Sequence, residues 1–162
     1  SWYRRQRQMC IRDSNDAGVA AVVNQQFDIG LQILDAGLVP IIEPEVDIHS
    51  ATKAEIEESL RDKLAASLDS VPEGKQVVFK LSLPSQANFY APLIDHPKVM
   101  RVVALSGGYS RDEACTMLAA NHGMIASFSR ALSEGLTAQM SEEEFTATLD
   151  AAIAEIYAAS IT

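Results

Sequence analysis

The chain has 162 residues, 48% hydrophobic and 22% charged, which is typical of one ordinary globular domain. A formal net charge of −9 argues against nucleic acid or an anionic membrane as a partner, because those surfaces require a basic face. Cys10 and Cys115 belong to no CxxC or Cys/His pattern, so neither a disulfide framework nor a zinc site is indicated.

No apolar run approaches the roughly 20 residues that span a bilayer, and the amino terminus lacks the apolar centre of a signal peptide. We therefore expect a cytoplasmic protein.

The first 14 residues differ sharply from the rest. SWYRRQRQMCIRDS contains Arg4, Arg5, Arg7 and Arg12, although the whole chain has only 13 basic residues. A basic arm for nucleic acid is one interpretation, but composition favours a solvated tail or a foreign segment. RRQRQMCIRDS also resembles translated sequencing-adaptor sequence. We expect residues 1–14 to be non-native and outside the fold, and residues 15–162 to form the domain.

From Asn15 onward, amphipathic helices alternate with apolar strands. A helical stripe runs from Val19 to Leu34, and Gly37 is placed to end that helix. The predicted strands cover residues 38–43, 77–83, 99–108 and 123–129. Predicted helices lie between and after them, with capping boxes at Thr52/Glu55, Ser110/Glu113 and Ser141/Glu144.

Strands that are apolar on both faces and separated by helices predict a parallel sheet covered on both sides. The fold class is therefore α/β. Four strands fit either a small, open, doubly wound sheet or half of an eight-stranded barrel, and periodicity does not separate these two folds.

Polar residues interrupt the strands near their carboxyl ends, where parallel α/β proteins place their active sites. They are Glu43, Glu45, Lys80, Ser82, Ser106 and residues 127–130. Because carboxyl ends of parallel strands meet at one edge, we expect these groups to share a rim.

Lys80 lies in the middle of the apolar run VVFKLSL. Strand alternation places Lys80 with Val78 and Ser82 on one face, away from Phe79 and Leu81. A desolvated lysine near other cations is partly neutral and attacks carbonyl groups to form a Schiff base. From this residue alone, the favoured explanation is a lysine that extends to the end of its strand or guards a sheet edge.

Glu43 and Glu45 lie on one face if the strand continues through Pro44. Two neighbouring carboxylates raise one pKa, which suits a general acid or base for forming an iminium. Simple pairing with basic residues of the rim is the alternative.

Ser106, Gly107 and Gly108 end a strand just before a helix capped at Ser110. Backbone amides at such a turn bind anions, so a phosphate is the natural ligand, although a tight turn alone explains the glycines. Arg130 could clamp the same phosphate.

His49, His96 and His122 are scattered outside any metal motif, so we expect a metal-independent site.

Four blocks now resemble, in order, class I fructose-bisphosphate aldolase, especially its bacterial form: LVPIIEPEV, VVFKLSLPSQANFY, VVALSGGYSRDEA and ASFSRALSEGL. The resemblance implies an eight-stranded (βα) barrel and reversible cleavage of fructose 1,6-bisphosphate into dihydroxyacetone phosphate and glyceraldehyde 3-phosphate.

The resemblance also assigns roles to individual residues. Lys80 matches the Schiff-base lysine, Glu43 the glutamate that transfers protons, and Glu45 its supporting neighbour. Ser106 and Gly107, with Gly108 adjoining, match the phosphate turn, and Arg130 matches the arginine that joins it. Ser129 stands where many animal members have glycine, and Leu81 where they have proline.

The chain is about half as long as that family requires. The family's first four strands bring an aspartate and two further lysines to the active site, and none can be matched here. We therefore expect the C-terminal half of such an enzyme, with little or no activity alone.

Two other functions stay open: another Schiff-base enzyme acting on sugar phosphates, such as a transaldolase-like enzyme, and a non-catalytic phosphate-binding α/β domain. The expected partner is a phosphorylated sugar, with no cofactor beyond the covalent lysine adduct. Free strand edges favour association, so a homo-oligomer is a further expectation.

Overall fold

The computed structural model describes residues 10–11 and 15–162. These residues form six strands and five α-helices. The strands are β1 (Cys10–Ile11), β2 (Ile41–Ile42), β3 (Glu45–Val46), β4 (Val77–Ser82), β5 (Val99–Leu105) and β6 (Ile125–Ala126). The helices are α1 (Asp16–Asp35), α2 (Lys53–Ser67), α3 (Ala91–Ile94), α4 (Arg111–Ala119) and α5 (Glu142–Ser160), and a 3-10 turn, Leu68–Ser70, follows α2.

The main sheet has four parallel strands in the order β2-β4-β5-β6. Its centre is the β4–β5 pair, in which Lys80 lies opposite Val103 and Ser82 opposite Leu105. A separate parallel pair joins β1 to β3. The predicted α/β class with parallel strands is therefore confirmed, and the arrangement is compatible with part of a barrel.

The two faces of the sheet differ in burial. Phe79 and Leu81 of β4, and Val102 and Ala104 of β5, are fully buried on one face, where Phe79 contacts Phe27 of α1. On the other face, Lys80 and its partner Val103 are only partly buried. The expectation of a sheet covered on both sides therefore fails at Lys80 and Val103, which are outside the buried core cluster, although Ser82 and Leu105 on the same face are buried.

The helix ends follow mostly predicted signals. Gly37 has φ +82° just after α1, and Leu38 N–H donates to Ile33 O at 3.1 Å, as at a glycine-terminated helix. The capping boxes at Ser110 and Ser141 are both formed. Hydrogen bonds from Ser110 lower the pKa of the Glu113 carboxyl. The box predicted at Thr52 is wrong: its side chain caps nothing, and Thr52 N–H donates instead to Ser50 Oγ.

The two outer strands are shorter than predicted. The strand expected at residues 38–43 is reduced to Ile41–Ile42, and Leu38 and Val39 are exposed. The one expected at 123–129 is reduced to Ile125–Ala126. An outer strand has one hydrogen-bonded neighbour in the sheet, so hydrophobicity overestimates its length.

Part of the segment predicted to lie outside the fold packs within it. Cys10 and Ile11 pair with Glu45 and Val46, Ile11 is buried, and Asp47 N–H donates to Ile11 O at 2.9 Å. The expectation therefore fails at residues 10 and 11. Residues 1–9 and 12–14 lie outside the described part of the chain, and the non-native origin of the segment stays a prediction.

Helix α5 covers only part of the β6 edge. Ala152 is buried, whereas Phe145 and Ile153 of the same helix are exposed. A groove of about 510 Å³ lies between β6 and α5, lined mainly by apolar side chains that include Ile125, Phe128 and Ile156. Within residues 10–11 and 15–162, no helix is both long and apolar enough to span a membrane.

A buried ion pair ties α2 to the segment after β4. Lys53 Nζ donates to Glu57 Oε1 at 2.5 Å and to Leu83 O at 2.9 Å. Glu57, only 1% exposed, accepts the Ser85 N–H at 3.0 Å through its other oxygen. Removing one member of such a pair leaves a buried charge without its counterion.

We expect Glu57→Ala to lower the free energy of unfolding by roughly 3–5 kcal/mol. The variant leaves the buried Lys53 ammonium without its counterion and the Ser85 amide without its acceptor. Urea denaturation measures this change. Glu58→Ala, on the exposed face of the same helix, is the control and should change stability by no more than about 0.5 kcal/mol. Equal effects of the two variants would contradict the structural role of the pair.

Candidate active site

Lys80 and Glu43 form an ion pair across adjacent parallel strands. Lys80 Nζ donates to Glu43 Oε2 at 2.9 Å, and the two side chains are 25% and 28% exposed. Register explains the contact, because Ile42 lies opposite Phe79 and the next residues of both strands are Glu43 and Lys80. The group facing Lys80 is thus a carboxylate that can exchange a proton with its amine.

Glu43 is fixed by a helix as well as by its strand. The Glu43 N–H donates to Gln26 Oε1 of α1 at 2.7 Å, in a partly buried contact. This contact could not be predicted from the sequence, since a glutamine beside an apolar helical stripe carries no specific signal. The hydrogen bond holds the backbone from which the Glu43 carboxylate projects toward Lys80.

The alternation predicted through Pro44 persists in the burial pattern, although the strand is interrupted between β2 and β3. Pro44 and Val46 are buried, whereas Glu43 and Glu45 are partly exposed. Among described contacts, no hydrogen bond or ion pair joins Glu45 to Lys80. The structure therefore brings Glu43, but not Glu45, into direct contact with the lysine.

Ser82 connects β4 to β3. Its hydroxyl accepts from Val46 N–H at 2.9 Å and donates to Val46 O at 2.8 Å, with Ser82 fully buried. One side chain thereby replaces the backbone hydrogen bonds of a strand pair at the point where the ladder stops. Ser82 is a structural residue of the rim that keeps β3 and Glu45 alongside the lysine strand.

The double-glycine turn follows β5 at the same edge. Gly107 and Gly108 have φ of +65° and +110°, and Tyr109 N–H closes the turn on Ser106 O at 3.0 Å. Neither glycine amide donates to an acceptor within the described residues. Free amides beside the amino end of α4 are suited to an anion.

Ser129 and Arg130 are exposed beyond the carboxyl end of β6. Ser127 N–H donates to Ala104 O at 2.7 Å, which places the end of β6 beside the end of β5. The segment that carries Arg130 therefore leaves the sheet next to the strand that leads into the glycine turn. His49, His96 and His122 take part in no described cluster of three or more potential metal ligands.

These features define a parallel α/β protein with a lysine–carboxylate site and an anion-suited turn at the carboxyl edge of its sheet. No family model matches the chain. Curated relatives do: it is 55% identical to fructose-bisphosphate aldolase class 1 of Synechocystis sp. over 152 residues. It is 52% and 50% identical to proteins of the same name from Porphyromonas gingivalis and Clostridium acetobutylicum.

The matches cover 93–94% of this chain but only 51–52% of each relative. The chain thus spans about half the length of the curated relatives it matches. The resemblance expected from the four sequence blocks is confirmed: over this half, the chain is a homologue of class 1 fructose-bisphosphate aldolases.

Replacing Gly107 by alanine should lower the stability of the fold by more than backbone strain alone explains. A side-chain carbon there would lie 2.9 Å from Ile48 Cγ2, whereas one at Gly135, with φ +87°, would meet nothing within 4 Å. We expect Gly135→Ala to destabilise the fold by about 1–2 kcal/mol, and Gly107→Ala by roughly 1–3 kcal/mol more. Thermal and urea unfolding compare them, and equal costs would contradict the packing of Ile48 against this turn.

Proposed function

We propose that the chain provides the lysine-bearing, C-terminal half of a class I fructose-bisphosphate aldolase. The reaction is the reversible cleavage of fructose 1,6-bisphosphate to dihydroxyacetone phosphate and glyceraldehyde 3-phosphate. The observation that carries the proposal is the 2.9 Å contact between Lys80 Nζ and Glu43 Oε2 at the carboxyl edge of a parallel sheet. The names of the relatives agree with this reaction.

Lys80 is the proposed nucleophile. Its neutral amine attacks the substrate ketone to give a carbinolamine, and loss of water then gives an iminium. The hydroxyl on the departing carbon loses its proton to a general base and becomes the aldehyde carbonyl, while the iminium accepts the electron pair of the carbon–carbon bond that breaks. The aldehyde leaves and an enamine stays on Lys80. Protonation of the enamine and hydrolysis release dihydroxyacetone phosphate and regenerate the amine.

Glu43 is the proposed proton carrier for the steps before cleavage. The hydrogen bond from Lys80 provides a path by which the carboxylate removes a proton from the ammonium. The resulting acid can then protonate the carbinolamine hydroxyl as it leaves. Glu45, which lies farther along β3, is proposed to support the lysine electrostatically once substrate is bound.

The turn at Ser106, Gly107 and Gly108 is proposed to bind a substrate phosphate through its free amides. Arg130 supplies a cation to the same phosphate, and Ser129 adjoins it. Phosphate and Schiff base would together fix both ends of the ketone half of the substrate. This positions its carbonyl carbon at Lys80.

The complete fold is proposed to be an eight-stranded (βα) barrel. The face of the sheet that carries Lys80 and Val103 would point into the barrel, which accounts for its partial exposure in this half. The other half would contribute the aspartate and the two lysines implied by the resemblance. For this reason, we expect the 162 residues alone to have little aldolase activity.

Sodium borohydride reduction in the presence of dihydroxyacetone phosphate tests the proposal. A Schiff base at Lys80 is reduced to a stable secondary amine, so mass spectrometry should find one adduct, on the peptide containing Lys80. Lys80→Arg should abolish it, whereas Lys75→Arg, at an exposed lysine shortly before the same strand, should leave it unchanged.

Absence of any adduct, with phosphate binding retained, would contradict the aldolase proposal and indicate a non-catalytic phosphate-binding domain. An adduct spread evenly over exposed lysines would also contradict it, because simple surface reactivity would then explain the modification. The borohydride trapping and the phosphate-binding measurement both use the 162-residue chain. Trapping requires only the first steps of the reaction.

A further inference from the structure

Arg111 connects three parts of the molecule near the proposed phosphate site. Its Nε donates to Glu155 Oε2 of α5 at 2.9 Å, and its Nη1 donates to Glu134 O at 3.1 Å and to Ala131 O at 3.4 Å. Its backbone N–H also donates to the Glu134 carboxylate at 2.7 Å. Arg111 therefore joins the start of α4 to the segment after β6 and to α5.

The position of these contacts along the chain gives them a functional meaning. Arg111 is the first residue of α4 and lies three residues after Gly108. Its acceptor Ala131 directly follows Arg130 and is buried. One side chain thus links the two segments that carry the proposed phosphate ligands, the glycine turn and Arg130.

We propose that Arg111 is a positioning residue for the phosphate site, which holds Arg130 at a fixed separation from the turn at 106–108. The inference rests on the proposed function of that turn. Arg111 acts through Arg130 rather than on phosphate, because its Nε and Nη1 are committed to protein acceptors and a carboxylate lies beside it.

A direct contact between Arg111 and phosphate predicts the opposite result when Glu155 is neutralised. Glu155→Gln would then free the guanidinium and remove a negative charge, so phosphate would bind more tightly. If Arg111 positions Arg130, the same variant loosens the connection and weakens binding. The sign of the Glu155→Gln effect separates the two roles.

The test is a titration of the 162-residue chain with inorganic phosphate, followed by the ¹⁵N–¹H signals of Gly107 and Gly108. We expect Arg111→Gln, Arg111→Lys and Glu155→Gln each to weaken binding about fivefold, the effect of one charge-assisted contact. Arg111→Lys keeps the charge but loses the planar fork, so its weakening excludes a purely long-range effect. Asp150→Asn, an exposed charge on α5, is the matched control and should leave the affinity unchanged.

A double-mutant cycle with Arg130→Gln tests the route of the effect. If Arg111 acts through Arg130, Arg111→Gln should change the affinity much less than fivefold once Arg130 is absent. Thermal unfolding of every variant shows that the chain is folded during the titration. If Arg111→Gln fails to fold, Glu155→Gln and Arg111→Lys decide the outcome.

Tighter binding in Glu155→Gln, full affinity in Arg111→Lys, or additive losses in the cycle would each overturn the inference. These results would leave the phosphate site itself in place, since the Gly107 and Gly108 signals would still shift. If phosphate leaves both signals unmoved in the unaltered chain, the proposed phosphate site is wrong, and the positioning role of Arg111 falls with it.

Discussion

The hydrogen bond between Lys80 Nζ and Glu43 Oε2 is the interaction on which the functional account depends. It requires two parallel strands in the register that places Ile42 opposite Phe79. The residues that follow these two, Glu43 and Lys80, then lie side by side on the same face. A shift by one residue would turn Lys80 toward the helical core, where an unpaired charge is costly. The burial of Phe79 on that core therefore also fixes the direction of the lysine.

The rim around this pair is held together by side chains that bond to backbone. Ser82 replaces ladder hydrogen bonds to Val46, and Glu57 holds the Ser85 amide with the help of Lys53. The first contact joins the ends of β3 and β4, and the second holds the loop that follows β4 against α2. They give the carboxyl edge a defined geometry before any substrate binds, which is the condition for precise positioning of reacting groups.

Much of this arrangement could be predicted from the sequence, because it depends on local signals. Alternation in VVFKLSL gave the face of Lys80, and the Ser110 and Ser141 boxes gave two helix starts. The Thr52 box is absent, and Ser50 Oγ instead bonds both the amide and the hydroxyl of Thr52. Gln26 and Arg111 could not be singled out, since they contact residues 17 or more positions away along the chain. The open face beside Lys80 also depends on which helices pack where, and strand hydrophobicity does not report that.

The most direct test of the account is zero-length carbodiimide cross-linking, which joins a carboxylate to an amine that it contacts. Tryptic mass spectrometry should recover an amide bond between Glu43 and Lys80. The Lys63–Asp16 pair, 2.6 Å apart on the surface, is the internal control for coupling in the same sample. Recovery of the control pair, with Lys80 unmodified or joined to a different carboxylate, would contradict the site described here.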